Sequence, residues 1–363
     1  MNIPVTKPFL PDFAEYALQL KGIWQREWLT NNGPLVNELE LSLKQQLGLE
    51  HLLFVTNGTV ALQIAIVALG LDGDIITTPF SYVATTSSIV WEKCKPVMVD
   101  VCPGSFNIDP EKIEAAITRD TKAILATHVF GVPCDVDAIE EIAKKHDLPV
   151  IYDAAHAFGS TYNGRSVLSY GDIATCSFHA TKLFHTVEGG SVSTPRPELL
   201  RRMAQLRNFG HVNATEFDVP GINGKNSEFH AAMGLCNLPH VHGIVAQRQK
   251  LYARYKENLA DSDGDFQFQE VPARTEYNCA YFPVVFMSEQ VLLKITETLN
   301  LHNVAPRRYF YPALSKLPYI SGQDMPVAES IAQRILCLPM YNSLSIEEVD
   351  MICRLIKRVV KYG

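Results

Sequence analysis

The sequence predicts an α/β protein: a large domain on a mostly parallel β-sheet covered by helices on both faces, followed by a smaller α+β domain. Three observations carry this expectation. Over the first two thirds of the chain, short apolar, β-branched runs alternate with amphipathic stretches. The 363 residues are 47% apolar or aromatic and 20% charged, enough for a sizeable core and for about two domains. From about residue 240 the alternation gives way to longer helical periods around a few strands. The domains are therefore expected at 1–240 and 241–363.

The elements follow in order. An amphipathic stretch at 34–47 leads to the apolar run 52–55, a helix at 59–70 and a strand at 74–78. A helical stretch at 81–92, a strand at 96–101, a helix at 110–117 and a strand at 123–130 repeat the rhythm. A helix at 136–146 then feeds the strand 149–153. Beyond Asp153 the runs 173–178 and 189–194 are joined by a short loop with no helix between them, so an antiparallel strand is expected there. A long polar-amphipathic helix at 241–259 leads away from the core. The strand 279–286 and helical periods at 290–299 and 346–360 complete the smaller domain.

Composition narrows the function classes. A net charge of -7 with no block of like charge disfavours a nucleic-acid binder that works by phosphate neutralisation. The eight cysteines are scattered, form no C-x-x-C pair and sit among apolar neighbours, which reads as reduced thiols with neither a disulfide framework nor a metal site. Prolines interrupt the first residues, and the longest apolar stretch, 61–71, is too short to span a bilayer. A cytoplasmic protein that engages neither nucleic acid nor membrane is expected.

Three segments carry candidate chemistry. Asp153 ends a strand at the sheet edge where open α/β folds bind ligands, although a helix N-cap for the DAAHAFG segment would show the same residue. Lys182, in S-F-H-A-T-K, lies in a loop with apolar flanks ahead of Glu188-Gly189-Gly190. Held there it would be desolvated, hence neutral and nucleophilic; the alternative is a surface lysine in water. T-N-G-T-V-A-L, with Asn57, Gly58 and Thr59, joins a strand to a helix whose first N–H groups form an anion site, as many ligand-free turns also could. Together these pieces ask for a phosphate at Gly58-Thr59, a carbonyl at Lys182 and a ring nitrogen at Asp153. Pyridoxal 5′-phosphate has all three.

At these residues the chain resembles the DegT-type sugar aminotransferases, over nearly its whole length. The resemblance rests on W-L-T-N-N-G-P, T-N-G-T, T-P-F-S-Y-V-A-T, H-V-F-G-V-P-C-D-V-D, Y-D-A-A-H-A-F-G, S-F-H-A-T-K, E-G-G and G-I-N-G-K-N-S-E-F-H-A-A-M-G-L, in that order. It implies a fold-type I (aspartate aminotransferase-like) large domain with a seven-stranded sheet, pyridoxal 5′-phosphate as cofactor and no metal. Lys182 would form the Schiff base and Asp153 would face the pyridine nitrogen. Tyr82 would stack on the ring, with Phe80 a rival two residues away. Gly58, Thr59 and Ser177, with Asn57, would hold the cofactor at its phosphate end, and His156 would lie beside the ring hydroxyl. Asn223 would reach the phosphate from a neighbouring subunit, which implies a homodimer with two shared sites.

The same resemblance implies L-glutamate as donor and a nucleotide-linked keto sugar as acceptor, foremost a dTDP-4-keto-6-deoxyhexose aminated at C-4. C-3 amination, dehydration and a non-catalytic regulator on the same fold are the other outcomes. Thr30, Asn31, His185, Lys225, Arg307, Arg308 and Tyr309 are the implied substrate contacts, an ordinary basic turn being the alternative for the last three. One departure stands out: Lys225-Asn226 replaces the family's usual Arg-Met or Arg-Leu, which removes a two-pronged donor.

Overall fold

The protein is described by a computed structural model covering residues 2–260, 266–320 and 322–362. Its centre is a seven-stranded sheet in the order His51–Val55, Gly190–Thr194, Ile173–Ser177, Val150–Asp153, Thr121–Thr127, Asp74–Thr77, Lys95–Met98. Gly190–Thr194 runs antiparallel to both its neighbours, as the short connection predicts, and the remaining neighbours pair in parallel.

The strands read as continuous apolar runs because both faces are covered. Leu52, Phe54, Ile124, Ala126, Tyr152 and Cys176 enter one apolar cluster with Leu39 and Ile139 of the helices Pro34–Leu47 and Val136–His146. Their strand neighbours Leu53, Val55, Ala123, Leu125 and Ile151 enter another with Leu62 and Met203 of the helices Gly58–Ala68 and Pro197–Arg207. The two-residue side-chain period of a strand assigns alternate residues to opposite faces. Helix ends follow their local chemistry: Pro34 opens one helix, and Gly48 closes it in the left-handed region at φ 62°.

The smaller domain has a three-stranded antiparallel sheet, Phe266–Phe268, Phe282–Phe286 and Ile335–Leu338, packed on Glu289–Leu301 and Ile346–Tyr362. The long helix Val241–Ala260 joins the two cores, placing Val241 and Ile244 in the large one and Leu251, Tyr255 and Leu259 in the small one. The first residues reach the smaller domain: Ile3–Pro4 pairs in parallel with Val304–Ala305, and Ile3 joins the smaller domain's apolar core.

All eight cysteines are free thiols and seven are buried. Among the described residues no helix is long and apolar enough to cross a membrane, and no group of His, Cys, Asp and Glu is placed to hold a metal.

Candidate active site

Because the parallel strands point the same way, their carboxyl ends share one edge, and a cavity of about 530 Å³ opens there. Its walls include Asn57, Gly58, Thr59, Tyr82, Asp153, His156, Ser177 and Lys182 from the large domain, and Tyr281, Arg307, Tyr309 and Phe310 from the region after the long helix. Every cofactor residue expected within one chain is thus brought together. A wider cavity of about 740 Å³ lies at the opposite end of the strands, near Pro149, Asp172 and Pro195, and holds none of these residues.

Asp153 is buried at the end of its strand. Its Oδ2 accepts a hydrogen bond from the Thr85 hydroxyl at 2.7 Å and its Oδ1 accepts from the Ala155 N–H at 3.1 Å. No helix follows it, so it closes a local turn and caps no helix. Burial pushes the carboxyl above its ordinary pKa, against the Thr85 and Ala155 donors and the positive Lys182.

Lys182 retains partial exposure because it faces the cavity, and it is no free surface lysine. Desolvation brings its ammonium down to about 8, while Asp153, Cys176 and Tyr82 pull the other way. At pH 7 that leaves about 300-fold more neutral amine than a lysine in water has. Capture of a carbonyl by the cofactor-free protein should therefore quicken as pH rises through about 8 and level off above it. Stopped-flow absorbance with pyridoxal 5′-phosphate measures this; a rate still climbing at pH 10 would show a solvated amine.

The strand-to-helix turn at Gly58 is shaped for a small anion. Asn57 caps the helix by accepting the Val60 N–H at 2.8 Å, and helix geometry leaves the Gly58 and Thr59 N–H groups without intrahelical carbonyls. The turn lies so close to the two strands beside it that a Cβ on Gly58 would stand 2.9 Å from Ser177 Cβ, and one on Gly190 would stand 2.6 Å from the Asn57 carbonyl carbon. Only glycine lets these backbones approach one another.

The structure separates the two rival rings. Phe80 is wholly buried, edge-on to Phe106, Phe130 and Phe310 at 5.6–6.3 Å. Tyr82 is 54% exposed and lies in the cavity wall. Phe80→Ala should then cost about 3–5 kcal/mol of stability, and Tyr82→Ala should weaken cofactor binding about tenfold with an unchanged Tm. Thermal melts and cofactor titrations read both; the reverse pattern would assign stacking to Phe80.

His156 packs in an aromatic cluster, near-parallel to Phe310 at 5.5 Å and Phe130 at 6.2 Å, with Tyr281 edge-on at 5.0 Å. Burial and the neighbouring Lys182 keep it neutral, well below the ordinary histidine range. Its Nδ1 is buried and has no hydrogen-bond partner. A buried orphan of this kind beside an anion turn, a desolvated amine and a carboxylate fits a polar aromatic cofactor.

The expected substrate residues divide. Arg307 and Tyr309 line the cavity, with the Arg307 guanidinium 4.7 Å from the Tyr309 ring. Arg308, next in sequence, turns elsewhere: it binds Glu289 at 2.7 Å and the Gln333 carbonyl at 2.9 Å. His185 is buried outside the cavity wall and meets the Phe9 carbonyl at 2.6 Å. Thr30 and Asn31 lie on an exposed turn. Lys225 bonds Asn208 Oδ1 at 2.6 Å, and Asn223 is exposed on the loop whose Gly224 carbonyl accepts the Thr56 N–H. Sequence reasoning named neither Thr85 nor Tyr281, and it reached Phe310 only as part of the turn 307–311; Thr85 lay inside the quoted T-P-F-S-Y-V-A-T run.

Known proteins resemble the chain over nearly its whole length. The sequence pattern of the DegT/DnrJ/EryC1/StrS aminotransferase family matches residues 13–357. The chain is 41% identical to a dTDP-4-amino-4,6-dideoxy-D-glucose transaminase of Shigella dysenteriae and 39% identical to one of Escherichia coli, over 98% of both chains in each case. Its fold superimposes on the crystal structure of DesI in the presence of its TDP-sugar product with a TM-score of 0.94, at 31% identity over 99% of this chain and 93% of that one.

Proposed function

The chain belongs to the DegT/DnrJ/EryC1/StrS aminotransferase family, and from that premise we propose that it moves an amino group from L-glutamate to C-4 of dTDP-4-keto-6-deoxy-D-glucose, yielding dTDP-4-amino-4,6-dideoxy-D-glucose. The carrying observation is the convergence of Lys182, Asp153 and the Gly58–Thr59 turn on one cavity. Pyridoxal 5′-phosphate, bound there, supplies the electron sink that lets a Cα–H bond of the donor break.

Each wall of the cavity has a part in this. The Gly58 and Thr59 N–H groups and Ser177 would hold the phosphate, Asp153 would hold the ring nitrogen's proton, and Tyr82 would cover a ring face. Lys182 would hold the cofactor at its carbonyl carbon, and its neutral amine would be the base that takes up the donor's Cα proton. With the keto sugar in place, the protonated Lys182 would be the acid that delivers a proton to its C-4. His156, kept neutral in its aromatic cluster, would lie beside the ring hydroxyl. Arg307 and Tyr309 meet the nucleotide end of the sugar, a cation with an aromatic face for a diphosphate and a base. Asn223, exposed and outside its own chain's cavity wall, supports a homodimer in which it completes the partner's phosphate pocket.

The test of regiochemistry is to offer the dTDP-linked 4-keto and 3-keto 6-deoxyglucoses with glutamate and cofactor. Mass and NMR analysis should show the amine on C-4 and little product from the 3-keto isomer. The reverse preference would move the assignment to C-3, and no product from either would retire the sugar.

A further inference from the structure

We infer that Thr85, at the end of a one-way chain of buried hydroxyls, is a positioning residue that orients Asp153 and keeps it ionised; the inference rests on the functional reading above. Thr85 Oγ1 lies 2.7 Å from Asp153 Oδ2, Ser81 Oγ lies 2.7 Å from Thr85 Oγ1, and Thr127 Oγ1 lies 3.3 Å from Ser81 Oγ. All three hydroxyl residues are buried. Their order follows from proton counting. An ionised carboxylate has no proton to offer, so the Thr85 hydroxyl donates to it. That uses the one proton Thr85 has, so Ser81 must donate to Thr85. Thr127 in turn donates to Ser81. Every dipole in the row then points its positive end toward Asp153, and chained donors of this kind strengthen one another.

The surroundings explain why such a row matters. Burial is the largest influence on Asp153 and favours its neutral form. The charged or titratable groups that face it are Lys182 and the thiols Cys176 and Cys134. Both thiols are pushed up by burial and stay neutral. Lys182 helps Asp153 only while it is a cation, and its function requires it to be a neutral amine or to be bound to a carbonyl carbon. In those states the donors that the chain itself supplies are the Ala155 N–H and the Thr85 hydroxyl. The backbone donor serves Oδ1, so Oδ2 depends on Thr85. The three hydroxyls come from separate places: Thr85 from the helix Val83–Trp91, Ser81 from the turn before it, and Thr127 from the end of a strand. The row therefore also fixes the carboxylate plane relative to the sheet edge.

Two measurements on Thr85→Val, which keeps the shape and removes the hydroxyl, test this. In the cofactor-free protein, ¹³C NMR of the Asp153 carboxyl should show an apparent pKa about one unit higher than in the wild type. In the protein loaded with ¹⁵N-labelled pyridoxal 5′-phosphate, the ring-nitrogen resonance should move toward the unprotonated position, and kcat should fall about tenfold with little change in KM for glutamate. Thr85→Ser should restore both. An unchanged carboxyl titration together with an unchanged nitrogen resonance overturns the inference. If Thr85→Val does not fold, Ser81→Ala gives the same readouts, with smaller shifts in the same direction expected and no shift counting against the row. A wild-type protein that takes up no pyridoxal 5′-phosphate, while the variant still raises the Asp153 titration, retires the functional reading and leaves the hydroxyl row standing.

Discussion

Lys182→Ala removes turnover, by about 10⁴-fold or more, and leaves a folded protein without the visible absorption of a cofactor bound to an amine. The size follows from the two tasks this amine has: holding the cofactor's carbonyl carbon and moving the proton in both half-reactions. The fold should not suffer. The residue's backbone N–H pairs with the His179 carbonyl whatever the side chain, and the desolvated ammonium is a cost to the native state. The sign can be worked through. Because the folded pKa is depressed to about 8, the native state holds the proton less tightly than the unfolded chain. That cost is fully present below about pH 8 and fades as pH rises toward the ordinary lysine value. Alanine should therefore leave Tm at neutral pH unchanged or slightly higher. Borohydride trapping followed by peptide mapping is the decisive measurement. Cofactor trapped on the variant at the wild-type level would assign the chemistry to another lysine.

Asp153→Asn should keep cofactor binding and lose activity by about 10²–10⁴-fold, since a neutral amide cannot hold the ring-nitrogen proton and the electron sink weakens. Geometry sharpens the expectation. Asp153 accepts from Thr85 on one oxygen and from Ala155 on the other, whereas an amide has a single oxygen and can keep one of the two. A modest loss of stability, on the order of 1 kcal/mol, should accompany the loss of turnover. Kinetics and melting measured together separate the two roles: near-normal turnover with a lowered Tm would reduce Asp153 to a turn-closing residue.

Much of the fold was readable along the chain because each element satisfied its own local rules. The helices Pro34–Leu47 and Val136–His146 have one apolar side and clear ends, namely Pro34, Gly48 and the Asp135 side chain that accepts the Ala138 N–H. The antiparallel strand Gly190–Thr194 was readable from the absence of a crossover helix before it. Phe13–Arg26 was passed over, although Tyr16, Leu20 and Ile23 recur at helical spacing and pack on the large core. The excursion of Ile3 and Val5 onto the smaller domain has no local signal, because its partner at Val304 is some 300 residues away.

Sequence alone determined the chemical vocabulary of the site: an amine in S-F-H-A-T-K, a carboxylate ending Val150–Asp153, and a glycine turn after His51–Val55. Residue type and local pattern suffice for that, since nucleophilicity, charge and backbone freedom belong to single residues and short turns. Tertiary structure alone decided which neighbours share the cavity. Phe80 and Tyr82 are two residues apart on one turn, yet one is core and the other faces the cavity. Arg307 and Arg308 are adjacent, yet one lines the cavity and the other is held by Glu289. Thr85 acquires its role from a carboxylate 68 residues further on. Where a side chain points, how far it is desolvated and what it bonds to are set by the packing of elements distant in sequence, and no local pattern records that packing.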